Sequence, residues 1–168
     1  MRPRSWRSET TNTLLNRTTA TRENALTDEE RDAFLAEKRV GRLASNRGDG
    51  WPHVTPIWYV WEDGCFSLSL GKSRRHLRNI ARDQHVTLCV DDDPRMTDLT
   101  KAPRSVVCFG LAKIVNDEQT VRDATRKVEL RYLGEAGGAA LDELLWFEGR
   151  TVVEITPVRW LAWDQGKG

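Results

Sequence analysis

Apolar and polar positions change period several times along this chain, and each change predicts an element. Thr27 is followed three residues later by Glu30, the pattern of a capping box, and Ala33, Phe34 and Ala36 supply part of an apolar face. A short helix over 28–37 is expected. "VGRLASN" (40–46) alternates as a strand, and "RGDG" (47–50) has the composition of a turn. "WPHVTPIWYVW" (51–61) is rich in β-branched and aromatic residues, as strands are. Pro52 and Pro56 cannot both donate to a central ladder, so this strand needs an edge or a bulge. "EDG" (62–64) turns the chain into "CFSLSL" (65–70), its alternating hairpin partner.

A helical period returns in "GKSRRHLRNIAR" (71–82). Leu77, Ile80 and Ala81 share a face there, while Lys72, Arg75, Arg78, Asn79 and Arg82 project elsewhere. Gly71 lets the strand turn sharply into this helix. "HVTLCVDD" (85–92) and "RSVVCFGLAKIV" (104–115) read as strands, joined by a loop over 93–103, and Gly110 marks a bulge. Asn116, with Gln119 as reciprocal partner, caps a helix over 117–132 that Gly134 ends. A loop and a short helix follow. "GRTVVEITPVRWLAWD" (149–164) is a last long strand, interrupted at Pro157. The sum is a mainly β (α+β) chain, six antiparallel strands closing into a barrel with helices inserted between them.

Composition narrows the picture. The chain has 168 residues, enough for one cored domain, expected over 26–168. Residues 1–25 lack apolar periodicity and read as a disordered basic tail. Lys plus Arg is 26 and Asp plus Glu is 25, a net charge of +1 that gives no global pull toward nucleic acid or membrane. No apolar run approaches the ~20 residues of a membrane span. Cys65, Cys89 and Cys108 are odd in number and set in apolar stretches, so they are expected as buried free thiols in a reducing cytoplasm. His53, His76 and His85 lack the clustering a metal site needs, so none is expected.

The local charge is more informative than the total. The segment 71–82 holds five cations and no acid. Those cations crowd a helix start, where the dipole disfavours them, which points to an anion at that place. "GKS" is not a P-loop, since Phe66 stands where the motif needs its first glycine. A helix start after a glycine still offers free N–H groups, and Lys72, Ser73, Arg74 and Arg75 add a hydroxyl and charge. Charge-assisted bonds of about 1.5–3 kcal/mol each would anchor a phosphate in threes or fours. The neighbouring hairpin supplies a wall for a flat ring.

The ordered set "LTDEERDAFLAEKRVGRLAS", "GDGWPHVTPIWYVWEDG", "SRRHLRNIARDQHVTLCVDDD", "VVCFGLAKI" and "VVEITPVRWLAWD" resembles the pyridoxamine-5′-phosphate-oxidase-like split-barrel proteins, in the branch of actinobacterial flavin- and deazaflavin-dependent oxidoreductases. The resemblance runs from about Leu26 to Asp164. It implies a homodimer of six-stranded split barrels with cofactors between subunits: FMN, or the deazaflavin called coenzyme factor 420. It implies hydride transfer to or from a small organic substrate, with no side chain required as catalyst. Arg74, His76 and Asn79 match the family's phosphate-binding R-x-K-x-x-N pattern. His76 stands where the family often has Lys, and Lys72, Ser73 and Arg75 are expected to support it. The strand His53, Val54, Thr55, Pro56, Ile57 and Trp58, with Ser69 and Leu70, would border the ring. Arg159, Trp160 and Trp163 of the other subunit would meet the substrate. "RWLAWD" lacks the R-x-H of vitamin B6 oxidases, which argues against that reaction. The extra cations Arg78, Arg82, Lys101 and Arg104 favour a deazaflavin with its acidic tail, and His76 favours FMN. The alternative is a non-catalytic flavin- or haem-binding split barrel, a carrier or sensor.

Overall fold

The computed structural model describes residues 23–96, 98–143 and 149–167. Helix α1 spans Asp28–Ala36 and carries the expected capping box: the Thr27 N–H donates to Glu30 Oε2 at 2.7 Å, and the Glu30 N–H to Thr27 Oγ1 at 3.2 Å. Strands β1 (Gly41–Asn46) and β2 (Pro52–Ile57) form the first hairpin. Then come β3 (Val60–Glu62), β4 (Cys65–Gly71), α2 (Arg75–Arg82), β5 (His85–Asp92) and a single 3₁₀ turn over Pro94–Met96. Strand β6 (Arg104–Val115), helical run α3 (Glu118–Glu143) and β7 (Arg150–Asp164) complete the chain.

All strand pairs are antiparallel, in the order β2-β1-β5-β6-β7-β4-β3. The sheet has seven strands rather than the expected six. The single strand expected over 51–61 is two strands at opposite ends of the sheet, joined only by Trp58 and Tyr59. Two residues cannot span an open seven-stranded sheet, whose strands lie about 4.8 Å apart, so the sheet must curl until its edges meet. This is a split barrel. Tyr59 drops fully into its core, with its hydroxyl donating to the Leu35 carbonyl at 3.2 Å. Phe34, Leu43, Phe66, Leu68, Leu88, Val106, Cys108 and Ile155 surround it. The prolines of β2 are tolerated because β2 is an edge.

Pro157 does not interrupt the last strand. Gly110 pairs with Pro157 and Phe109 with Arg159, so Val158 bulges out and the ladder resumes. Gly110 is required there, since a Cβ would lie 2.5 Å from Ile155 Cγ2 and 2.9 Å from the Thr156 carbonyl. The cap of α3 is Asp117, whose Oδ1 accepts from the Thr120 N–H at 2.9 Å. Asn116 instead accepts from the Thr151 hydroxyl at 2.7 Å, and Gln119 donates to Asp123. Gly134 breaks the helix with a positive φ of 71°, and helical structure resumes beyond it to Glu143.

Of the three free thiols only Cys108 is fully buried, which pushes its pKa up to about 12; Cys65 and Cys89 are half-buried. The expected tail falls mostly outside the described residues. Its last positions run along β7, with Ala25 bridging Trp163 and the Asp164 N–H donating to the Asn24 carbonyl at 2.9 Å. No helix among the described residues is long and apolar enough to cross a membrane.

Candidate functional site

Strands β2 and β4 approach one another across the split, and the start of α2 closes one end of the gap between them. The result is a groove of about 480 Å³, within the range of small-molecule sites. Its walls are His53, Thr55, Pro56, Ile57 and Trp58 from β2 and its exit, and Ser69, Leu70 and Gly71 from β4. Arg74, Arg75 and His76 close the helix end, and Val40 and Arg150 complete it. Ten of the fourteen cofactor residues expected from sequence thus lie on one groove. Val54 does not line it and is 59% exposed. Lys72 and Ser73 sit in the turn before α2 but outside the groove wall. Asn79 is buried at 4% exposure and donates from Nδ2 to Ser45 Oγ at 3.1 Å, tying α2 to β1. Ala81, expected on the buried face, is exposed, and His76 and Asn79 are buried in its place.

Helix α2 is short, eight residues, and no side chain caps its start. The preceding turn is closed by the Arg74 N–H donating to the Gly71 carbonyl at 3.1 Å. Gly71 lies in the strand without a positive φ, and a Cβ there would meet only the Arg74 side chain, at 3.7 Å. The turn therefore does not demand glycine. The space over Gly71 belongs to the groove, and Arg74 folds across it.

Arg150 faces Gly71 across the β4–β7 ladder. Its Nε donates to Ser69 Oγ at 3.0 Å, and its terminal nitrogen bonds the Ser69 carbonyl. Ser69 in turn shares a 2.7 Å hydrogen bond with Thr125 of α3. Burial pulls the pKa of Arg150 below that of an ordinary arginine; the field of Glu129 opposes this and that of Arg74 adds to it. Two arginines therefore line the groove beside Gly71, Arg74 over it and Arg150 across the ladder from it. No spacing in the sequence signals this, because Arg150 lies 81 residues from Ser69 and the ladder alone joins them.

Two imidazoles form the remaining polar wall. His53 and His76 stand with ring centroids 6.2 Å apart. His76 is 5% exposed, and its Nε2 is buried without a hydrogen-bond partner, as is His53 Nδ1. Burial, then His53, then Arg74 depress the pKa of His76 to about 4, so it is neutral at pH 7. Buried polar atoms are normally paired, so both rings hold hydrogen-bonding capacity that no protein group uses.

At the other end, Trp58 is 40% exposed and stacks on Tyr132 of α3, with centroids 4.7 Å apart and planes 2° from parallel. The Tyr59 N–H donates to the Tyr132 hydroxyl at 3.2 Å, which donates on to the Arg39 carbonyl. Tyr132 thus fixes the indole that ends the ring wall. A helical tyrosine gave no signal of this in the sequence.

The candidate substrate residues lie elsewhere in the subunit. Trp160 packs against Trp61, Phe66 and the Arg31 guanidinium, and Arg159 lies 4.2 Å over the Phe109 ring. Trp163 is half-buried, paired with Ser105 and bridged by Ala25. Lys101 and Arg104, expected near an acidic tail, are also placed apart: Lys101 pairs with Asp98 at 3.7 Å, and Arg104 with Glu37 and Asp92 at 3.5 and 3.4 Å.

Comparison with known proteins accords with this architecture. Crystal structures with the same fold include a conserved hypothetical protein from Mycobacterium tuberculosis, 27% identical over 88% of this chain and 90% of that one, with a TM-score of 0.75. An F420 reductase is 24% identical over 77% of this chain and 94% of that one, with a TM-score of 0.58. The heme storage protein HutZ from Vibrio cholerae is 18% identical over 84% and 96%, with a TM-score of 0.64. No curated protein matches the chain in sequence. The family model for pyridoxamine 5′-phosphate oxidase matches residues 27–164, nearly the whole described fold, and the chain belongs to that family.

Proposed function

We propose that the groove binds a flavin-type cofactor by its phosphate, the deazaflavin coenzyme factor 420 or FMN, and that the protein is an oxidoreductase acting on a small organic substrate. The observation that carries this reading is the placement of Arg74 and Arg150 beside Gly71, in the groove that His76, with its orphaned Nε2, also lines. Like charges are not brought together in a half-buried groove at no cost, and an anion between them offsets it. Arg guanidiniums fork onto phosphate oxygens, and a phosphate offers enough oxygens for two of them to bond at once.

The chain's own groups divide the work. Arg74, Arg75 and Arg150 hold the phosphate, with Lys72 and Ser73 within the same turn. The β2 wall from His53 to Trp58 and the Ser69–Leu70 backbone border a flat ring and keep water from one face. Hydride transfer is the chemistry such a cofactor supplies when bound, so the protein needs no acid or base of its own there. One face of the groove is open, and a second copy of the chain is proposed to cover it, bringing Arg159, Trp160 and Trp163 toward the substrate. A haem-binding alternative draws on the imidazoles His53 and His76 as possible iron ligands.

Purified, stripped protein titrated with FMN and with the oligoglutamyl deazaflavin tests the reading through fluorescence. Binding of one or both below about 100 μM, roughly 5.5 kcal/mol, is expected, weakened in Arg74→Ala. Binding of neither sinks the oxidoreductase proposal. A Soret band on haem addition, with flavin ignored, turns it to the alternative.

A further inference from the structure

A neutral histidine where a phosphate is held raises a question of charge balance. We propose that the groove takes up its phosphate together with one solvent proton, which settles between His76 Nε2 and a phosphate oxygen, so that His76 determines the charge state in which the cofactor is bound. The inference rests on the phosphate reading above and adds the role of one residue to it.

Three observations carry it. His76 lines the groove, and its Nε2 is buried with no hydrogen-bond partner, so that nitrogen has bonding capacity unspent on protein. The groups facing it are cationic or neutral: Arg74 and Arg75 from its own turn and helix, and His53 from β2. Arg150 faces the same groove from β7, in the field of Glu129 of α3, while β1 offers α2 the Ser45 hydroxyl, bonded to Asn79, and the Asn46 carbonyl, bonded to Arg82. In this setting burial and the neighbouring positive charge exclude a proton from the empty groove.

A phosphate monoester reverses that setting. At pH 7 it brings a charge of about −1.5 to −2, with a second pKa of about 6. One negative charge about 4 Å away, at an effective dielectric of about 20, raises an imidazole pKa by about three. From about 4 this reaches neutrality, and the second phosphate charge carries it beyond. The bond that forms is a hydrogen bond with a shared proton. No covalent bond breaks, and the proton comes from buffer.

The rival is specific. Neutral His76 already protonated on Nε2 donates to the phosphate and takes nothing from solvent. The two differ in proton stoichiometry, which calorimetry reads directly. The full-length protein is titrated with FMN and with the deazaflavin in MOPS, HEPES and Tris, buffers of different ionisation enthalpy, near pH 7.5, above the phosphate pKa of about 6. The expected result is an uptake of about one proton per FMN, with Kd weakening by up to about tenfold per pH unit above neutrality, and a smaller uptake with the deazaflavin, whose phosphodiester brings a single charge and has no second pKa. His76→Lys, charged beforehand, is expected to bind with no uptake and a flatter pH profile. His76→Gln, which cannot be protonated, is the second variant should the lysine disturb the fold, and it too should lose the uptake. Tight binding without proton uptake overturns the inference and leaves the phosphate reading standing. Uptake undiminished in His76→Gln overturns it also, and assigns the proton to another group. Failure of both cofactors to bind removes the phosphate reading, and this inference with it.

Discussion

Two arginine clusters lie in this protein, and they are satisfied in opposite ways. At the α1 end of the barrel, Arg39 and Arg104 lie 4.2 and 4.9 Å over the Phe34 ring. Arg39 pairs with Glu37 at 2.7 Å and Asp92 at 2.8 Å, and Arg104 reaches the same two acids. At the groove end, Arg74 and Arg75 show no carboxylate partner among the described residues, and Arg150 bonds Ser69 with the carboxylate of Glu129 in its field. The first cluster is a finished structural device. In the second, two of the three guanidiniums lack such an acid, and it is the cluster proposed to hold the cofactor phosphate. A count of basic residues does not separate the two; the acids and rings around each guanidinium do.

Substitutions that remove one cluster and spare the other give the strongest test of this contrast. Arg150→Met should have the largest effect. It removes a half-buried cation from the groove floor, worth about 1.5–3 kcal/mol for a charge-assisted bond, so cofactor Kd should rise by roughly 10- to 150-fold. It should also lower Tm, since the buried Glu129 loses a neighbouring positive charge. Arg74→Ala should weaken binding by about tenfold or more while leaving Tm unchanged, because Arg74 is exposed and holds no part of the core. Fluorescence titration and thermal melts of the two variants together separate binding from folding.

The structural cluster should respond the other way round. Asp92→Asn is expected to cost about 1 kcal/mol of stability and to leave cofactor Kd within error of wild type. Bonding to Arg39 holds the Asp92 carboxyl below its usual pKa, with Arg104 adding to the effect. The folded pKa is depressed, so this contribution is present above the unfolded value of about 3.9 and lost as pH falls through the folded one. The Tm advantage of wild type over Asp92→Asn should therefore begin to shrink as pH falls below about 3.9 and be gone once pH is below the depressed folded pKa. A smaller pH effect belongs to the groove. His76 titrates at about 4 when folded and near 6.5 when unfolded. Its contribution to stability is complete above about pH 6.5 and declines between about 6.5 and 4, so cofactor-free wild type should lose Tm over that window more steeply than His76→Gln.

Much of this contrast was legible in the sequence, but only where the signal was local. The capping box of α1, the β1–β2 hairpin, the bulge at Gly110 and the break at Gly134 each follow from a few adjacent residues. Most of the groove was legible too, because β2, β4 and the start of α2 are consecutive in the chain. Arg150 was not, since only a ladder between β4 and β7 sets it against Gly71. The division of 51–61 into two strands was hidden because Tyr59 reads equally well as a strand residue, and the curl of the whole sheet pulls it inward. Asn79 shows a role that the motif did not signal: its amide ties α2 to β1 through Ser45, a contact that only the fold brings about.

The central claim is that the groove holds a phosphate, and one comparison of ligands tests it without any mutation. FMN and riboflavin share the ring and differ by the phosphate. If Arg74, Arg150 and His76 grip that group, riboflavin should bind at least about 100-fold more weakly than FMN, about 2.7 kcal/mol, with the same ordering for the deazaflavin and its dephosphorylated core. Equal affinity for FMN and riboflavin would mean that the ring alone is held and that the charge beside Gly71 serves something else.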